Sequence, residues 1–177
     1  MASWTENAKN SMFGTDDRGN LVIRNAVIMQ GKTKNGGWTN FSGRPTVVNP
    51  RGGKRTFNVV LPEPVAQQMM AEGWNVKMIP PLDDQGDTLY YTEVVLNMEK
   101  SVEPVVYLCT EWNGNKKKTR LHGDDVKMLD NVRFRSVDVN IYPHVHDKGI
   151  KGHCNQFVAV QAQDMLFGGA YDEYSED

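Results

Sequence analysis

Residues 132–142, VRFRSVDVNIY, alternate apolar and polar side chains almost without interruption. Successive side chains of a strand point to opposite faces, so Val137, Val139 and Ile141 share one face. A period of two does not suit a helix, and it commits this part of the chain to a sheet with one buried side. Other stretches read as strands from their β-branched and aromatic content: Leu21–Met29, Arg55–Leu61, Asn75–Ile79, Leu89–Met98, Val102–Trp112, Lys116–His122 and Gln156–Gln161. A bulge is expected near Asn25-Ala26. Turn Glu99–Ser101 joins two of these strands, Asn113-Gly114-Asn115 is a hairpin signal, and Asp147–Gly152 reads as another hairpin turn.

Helices are few. Pro62-Glu63-Pro64 predicts a helix start, since proline at the first helical position loses no hydrogen bond. Val65, Ala66, Met69 and Met70 follow at helical spacing, and Gly73 ends the segment. Gly123–Asp130 predicts a short second helix with Asp124 as N-cap and Val126 and Leu129 as apolar contacts. Strands in this number, with a helix between them, predict a mainly β fold: an OB-fold-like antiparallel β-barrel, partly open, with one central helix and one short helix. The expected organisation is a flexible N-terminal arm over residues 1–20, one domain over 21–167, and an acidic disordered tail over 168–177. No apolar run approaches the ~20 residues that span a bilayer, and the polar N-terminus does not resemble a signal peptide, so a soluble intracellular protein is expected.

Charge is distributed unevenly. Lys32 to Leu61 holds six basic residues, Lys32, Lys34, Arg44, Arg51, Lys54 and Arg55, and no Asp or Glu. The chain carries a net −2, so the remaining residues together carry −8. Trp38, Phe41 and Phe57 are interleaved with the cations, and Gly and Pro break the stretch into loops. Cations that meet phosphates, beside flat rings that stack on unpaired bases, are what a single-stranded nucleic acid requires. A solvated hairpin with its rings packed underneath is the plainer alternative. A second cluster, Lys116, Lys117, Lys118 and Arg120, follows Trp112 across the predicted hairpin, and Arg133 and Arg135 lie on a neighbouring strand. The plainer reading of that cluster is a charged edge that blocks aggregation.

Other chemistries fit less well. Arg51-Gly52-Gly53-Lys54-Arg55 precedes a strand and lacks the spacing of a nucleotide-binding loop. His144, His146, His153 and Cys154 are candidate metal ligands, but the spacing is not that of a zinc finger and no second cysteine completes the set. Cys109 and Cys154 read as buried free thiols. Asp83-Asp84 and Asp124-Asp125 have plain loop and helix-start roles, so neither a catalytic centre nor a cofactor is expected. Two rival functions remain in view: a protein–protein adaptor or host-enzyme inhibitor on the same barrel, and a zinc-dependent enzyme built on the histidine cluster.

The pieces IRNAVIMQGKTKN, FSGRPTVVNPRGGKRTFNVVL and AEGWNVKMIPP, followed by NVRFRSVDVNIYP, a hairpin and QFVAVQ, resemble small proteins of tailed bacteriophages regarded as single-stranded DNA-binding proteins. The resemblance covers roughly residues 21–165. It implies an oligonucleotide-binding barrel, single-stranded DNA as partner, a role in phage DNA replication or recombination, and the cytoplasm of the infected bacterium as location. No catalytic residues follow from it. The terminal Tyr171, Asp172, Glu173, Tyr174, Glu176 and Asp177 resemble the acidic tails with which replication single-strand binders recruit partners. Many such tails finish on a hydrophobic residue, whereas this one ends Ser175-Glu176-Asp177.

Overall fold

The computed structural model describes residues 2–34, 36–81 and 86–163. The expected tail over 168–177 and most of the predicted loop over 82–87 lie outside those residues. The fold is mainly β, as expected, and its sheet does not close into a continuous barrel. The strands are β1 (Met12–Thr15), β2 (Leu21–Arg24), β3 (Thr56–Leu61), β4 (Lys77–Ile79), β5 (Leu89–Val95), β6 (Val105–Trp112), β7 (Asn115–Leu121), β8 (Phe134–His146) and β9 (Gly149–Gln161). They run in the order β1-β2-β8-β9-β5-β3, with β4 on β5, β6 on β9 and β7 on β6.

The spine is the antiparallel β8–β9 hairpin, turning at Asp147-Lys148 between His146 and Gly149. Its alternation is the one visible in the sequence: Val137, Val139 and Ile141 are buried together, facing Phe157 and Ala159. Along the other edge of β9, β5 and β6 lie end to end and parallel to it. Val94 and Val95 pair with Gly152 and His153, and Val105–Cys109 pair with Gln156–Val160. The segment between β5 and β6, where the turn Glu99–Ser101 is expected, is therefore a link between two collinear strands. The β6–β7 hairpin does form where Asn113-Gly114 predicts it. Asn113 (φ 52°) and Gly114 (φ 82°) are both left-handed, the requirement of the two-residue turn that fits the strand twist.

The irregularity expected near Asn25 is a change of sheet partner. β2 pairs with β8 through Ile23, and Asn25 then takes a left-handed conformation (φ 57°), which asparagine tolerates. Its backbone N–H donates to Asp138 Oδ1 at 2.9 Å, and its carbonyl accepts from Ser11 Oγ at 2.7 Å. Beyond this corner Val27 and Met29 bond to β3, where Ile28 makes an isolated bridge with Val59.

Helix α2 (Glu63–Ala71) follows Pro62 as expected, buries Ala66 and Met69, and stops before Gly73 (φ 97°). Gly123–Asn131 is a 3-10 helix whose N-cap is His122, in a capping box with Asp125. Asp124 is not the cap, because its carboxylate is taken by Arg55 and Lys127. Residues 1–20 correct the expectation of a loose arm. Helix α1 (Ala2–Ala8) and β1 are both formed, β1 pairs with β2, and Ala8 is fully buried. The physical reason is that the outer face of β3 and β5 is apolar at one end. Val60, Leu89 and Met29 would face solvent there without Ala8 and Trp4 packed against them. Among the described residues no helix is long and apolar enough to cross a membrane.

The main core lies on the other face of the sheet, and two rings considered for stacking on bases are inside it. Phe41 and Phe57 are 0% exposed, stacked on each other at 5.8 Å, and both meet Phe157 edge-on. They are unavailable to a ligand. Phe57→Ala is expected to cost about 3–5 kcal/mol of folding stability, the usual range for emptying a phenylalanine site in a core. Urea unfolding measures this, and a loss within 1 kcal/mol would contradict the packing described.

Candidate nucleic-acid interface

The outer face of β3 and β5 is covered by α1 at one end only. The rest is the floor of an open groove of about 810 Å³, formed by Thr56 and Asn58 of β3 and Tyr91 and Glu93 of β5. Alternation alone aims these side chains outward, because Phe57, Val59 and Val94 are committed to the core. The loop before β3 contributes Lys34, Trp38, Arg44, Val47, Val48 and Lys54 to the groove, and β4 contributes Lys77. Val47 and Val48 are apolar yet 76% and 93% exposed.

Trp38 closes one end of the groove. It makes edge contacts with Trp4 at 6.2 Å and with Tyr91 at 5.7 Å, and its carbonyl accepts from Asn58 Nδ2 at 2.9 Å. A half-buried ring held on two sides still has an edge for a ligand but no freedom to swing. Burial, with Glu93 nearby, raises the Tyr91 hydroxyl above its ordinary pKa, so the ring remains neutral. Burial alone would raise Glu93 too. The Lys151 ammonium bonded to it, with Lys77 and Lys54 nearby, outweighs that and holds the carboxyl below its usual range. Among the described residues that line the groove, Glu93 is the acidic one, and its charge is offset by Lys151 beside a rim of Lys34, Lys54 and Lys77.

Two carboxylates of the 3-10 helix fix the shape of the loop. Asp130 accepts hydrogen bonds from Thr39 Oγ1 at 3.0 Å, the Phe41 N–H at 2.9 Å and the Ser42 N–H at 3.0 Å. Arg55 is only 8% exposed. It donates to the Phe41 carbonyl at 2.9 Å and to Asp124 at 2.7 Å. Arg55 is therefore a clamp at the loop root, which corrects its expected role as a phosphate ligand. Arg44 is half-way between the roles. It bonds Asn40 Oδ1 at 3.3 Å and the Gly37 carbonyl at 3.4 Å, yet it lines the groove. Lys32 and Arg51 are exposed on the same loop outside the groove. Asp130→Ala removes three acceptor contacts at once, and bonds to a charged group are worth about 1.5–3 kcal/mol each at most. The variant is expected to lose at least 2 kcal/mol in urea unfolding, and its loop amides near Phe41 should exchange with solvent faster; unchanged exchange would count against the clamp.

The second basic cluster is elsewhere. Lys116, Lys117 and Lys118 are exposed on β7, and none of them lines the groove. Lys118 sits 4.3 Å from the centre of the Tyr107 ring, with Arg120 on the same ring at 5.8 Å. Arg120 also approaches Glu103 at 3.9 Å. Trp112 is 70% exposed at the hairpin end. Arg133 and Arg135 line a separate polar depression that also includes Trp4. Trp4 thus stands between that depression and the groove.

The histidine cluster divides. His144, His146 and His153 come together on the outer face of β8 and β9, with ring centres 6.0 Å and 4.8 Å apart. Cys154 faces the opposite way, buried in the core, where desolvation pushes its thiol well above the usual cysteine range. That separation of faces breaks the four-ligand set considered from the sequence. Among the described residues no group of three or more His, Cys, Asp or Glu is placed to hold a metal ion. Burial, with His144 and Lys100 beside it, lowers His153 from 6.5 to about 4. The unfolded chain therefore binds a proton that the folded one resists, so this contribution to stability is present above pH ~6.5 and is lost as pH falls towards 4. His153→Gln should flatten the fall in melting temperature over that window, while leaving steeper acid loss below pH 4 in place. An identical pH profile for the variant would contradict the assignment.

Several groove residues had no compositional signal: Tyr91, Lys77, Asn58 and Glu93 are scattered over three strands. The alternation of LYYTEVV does place Leu89, Tyr91 and Glu93 on one face, which is the clue that was available. The fold defines a mainly β protein with an open groove that is basic at its rim and aromatic at one end. Its family is more specific. Residues 23–166 match the family described as "Putative phage ssDNA-binding domain", and the chain belongs to that family. A search of curated proteins and one of solved structures each returned no match.

Proposed function

We propose that this protein binds single-stranded DNA through the β3–β5 groove, without sequence preference and without catalysis, during phage DNA replication or recombination in the cytoplasm of the infected bacterium. The observation that carries this reading is the groove itself: Lys34, Lys54 and Lys77 at its rim, with Trp38 and Tyr91 at one end. Membership of a phage single-strand-binding family supports the same ligand. Lysines hold phosphates as point charges, while ring faces and edges accept any base, so affinity comes with little base preference. In this reading Lys116, Lys117 and Lys118 act at a distance, adding to the positive field that draws DNA in. Residues 168–177, outside the described part, would recruit a replication or recombination protein.

Titration of fluorescent oligothymidylate across a salt series is the test. Each phosphate neutralised on a single strand contributes about −0.7 to the log–log salt slope, so three groove lysines give a slope of about −2 or steeper. Lys54→Ala should make the slope shallower by about 0.7 and weaken binding to every sequence alike. A salt-independent affinity, or a strong preference for duplex, would overturn the proposal.

A further inference from the structure

We propose that the row of rings on the outer face of the β8–β9 hairpin, Tyr142, His153, His144 and His146, is a second single-strand contact that stacks unpaired bases of a strand leaving the groove. This inference rests on the groove reading and extends it.

Four ring-bearing side chains follow one another along the hairpin. Tyr142 and His153 lie 5.4 Å apart and tilted by 32°, His153 and His144 4.8 Å apart, and His144 and His146 6.0 Å apart. Residues 143–148 are all exposed, so the end of the hairpin stands clear of the core on both faces. Val145, on the face opposite the histidines, is 73% exposed. Rows of rings on hairpins also support the strands beneath them by cross-strand contact. That role accounts for Tyr142 against His153, which are register partners. It does not account for His144 and His146, which extend the row beyond the covered part of the sheet.

The row is continuous with the groove. On the outer face, Glu93 of the groove floor is bonded to Lys151 of β9, and Lys151 is the register partner of His144. His153 is paired with Val95, two residues beyond Glu93 on the same face of β5. Lys54 bears electrostatically on both Glu93 and His153, so one lysine of the groove rim reaches towards the row. Crossing from β3 through β5 and β9 to β8 takes three strand spacings of about 4.8 Å, or roughly 14 Å. That is a distance a few nucleotides cover. Cations accompany the row as they do the groove. Lys100 Nζ lies 4.5 Å over the Tyr142 ring and 2.9 Å from its hydroxyl. The lowered His153 pKa leaves a neutral flat ring in the middle, with the charge carried by lysines on either side.

The test compares two thymidylate lengths, near the short and the long ends of the roughly 4–16 nucleotides that one such domain covers. Three proteins are used: wild type, the groove variant Lys34→Ala/Lys54→Ala, and the row variant His144→Ala/His146→Ala, whose exposed positions leave folding intact as melting temperature verifies. The groove variant should weaken both lengths. The row variant should leave the short strand within two-fold and weaken the long strand by about 5- to 100-fold, the cost of losing a stacked base. His144→Phe/His146→Phe should restore the long-strand affinity, since it keeps the rings and removes the titratable nitrogens. Wild-type long-strand affinity in the alanine variant, or failure of phenylalanine to rescue, overturns the second contact while the groove reading stands. Absence of binding by wild type at either length overturns the groove reading, and this inference with it.

Discussion

The carboxylate of Asp130 holds the basic loop in a defined shape. A loop with several glycines, two prolines and six cations would otherwise repel itself and spread into solvent. One anion, contributed from a 3-10 helix about 90 residues later, gathers the hydroxyl of Thr39 and two consecutive backbone N–H groups. Arg55 completes the tie from below, joining the Phe41 carbonyl to Asp124. These bonds seat Phe41 in the core, and Phe41 in turn fixes where Trp38 and Arg44 emerge. The groove wall is therefore set by a few polar bonds at the root of the loop, and Lys34 and Lys54 are left to line it.

This arrangement separates two jobs that the sequence presents as one. A basic residue beside an aromatic one can be a ligand pair, or it can be a structural unit with the ring inward and the charge tied. Within one loop the protein uses both. Arg55 and Phe41 are the structural unit, and Lys34, Lys54 and Trp38 are turned towards the groove. Glu93 shows the same economy on the floor, since its bond to Lys151 joins β5 to β9 and also offsets a negative charge in the groove.

What could be read from the sequence follows from the range of the interaction concerned. Strand β8, helix α2 and the Asn113-Gly114 turn are written in local periodicity and turn chemistry and lie close to where the sequence places them, whereas β9 begins at Gly149, inside the turn expected over Asp147–Gly152, and is longer than the expected Gln156–Gln161. The mainly β class and the family were also legible, because order and spacing survive without knowledge of contacts. The inward direction of Phe41 and Phe57 is only the plainer of two alternatives in the sequence, since what decides it is Asp130, Phe134 and Phe157. The structural role of Arg55 is hidden for the same reason: its partner Asp124 lies 69 residues away. The parallel seating of β5 and β6 on β9 is equally long-range, and nothing in the turn at 99–101 announces it. Helix α1 is short and weakly patterned, and only the apolar end of the sheet beneath it explains its position.

The end-to-end placement of β5 and β6 along β9 also dictates when the molecule can become whole. The neighbours of β9 are β8, β5 and β6, and it joins sheet segments that are otherwise held together by loops and by the few backbone bonds of residues 27–29 to β3. It is also the last strand among the described residues. During synthesis the β1–β2 and β6–β7 hairpins can close as they emerge, but each waits with an apolar face uncovered. Completion comes only once residues 149–161 have left the ribosome, and it requires pairings between distant parts of the chain, which are slow to form. The nascent protein is therefore most exposed to aggregation and proteolysis immediately before β9 arrives.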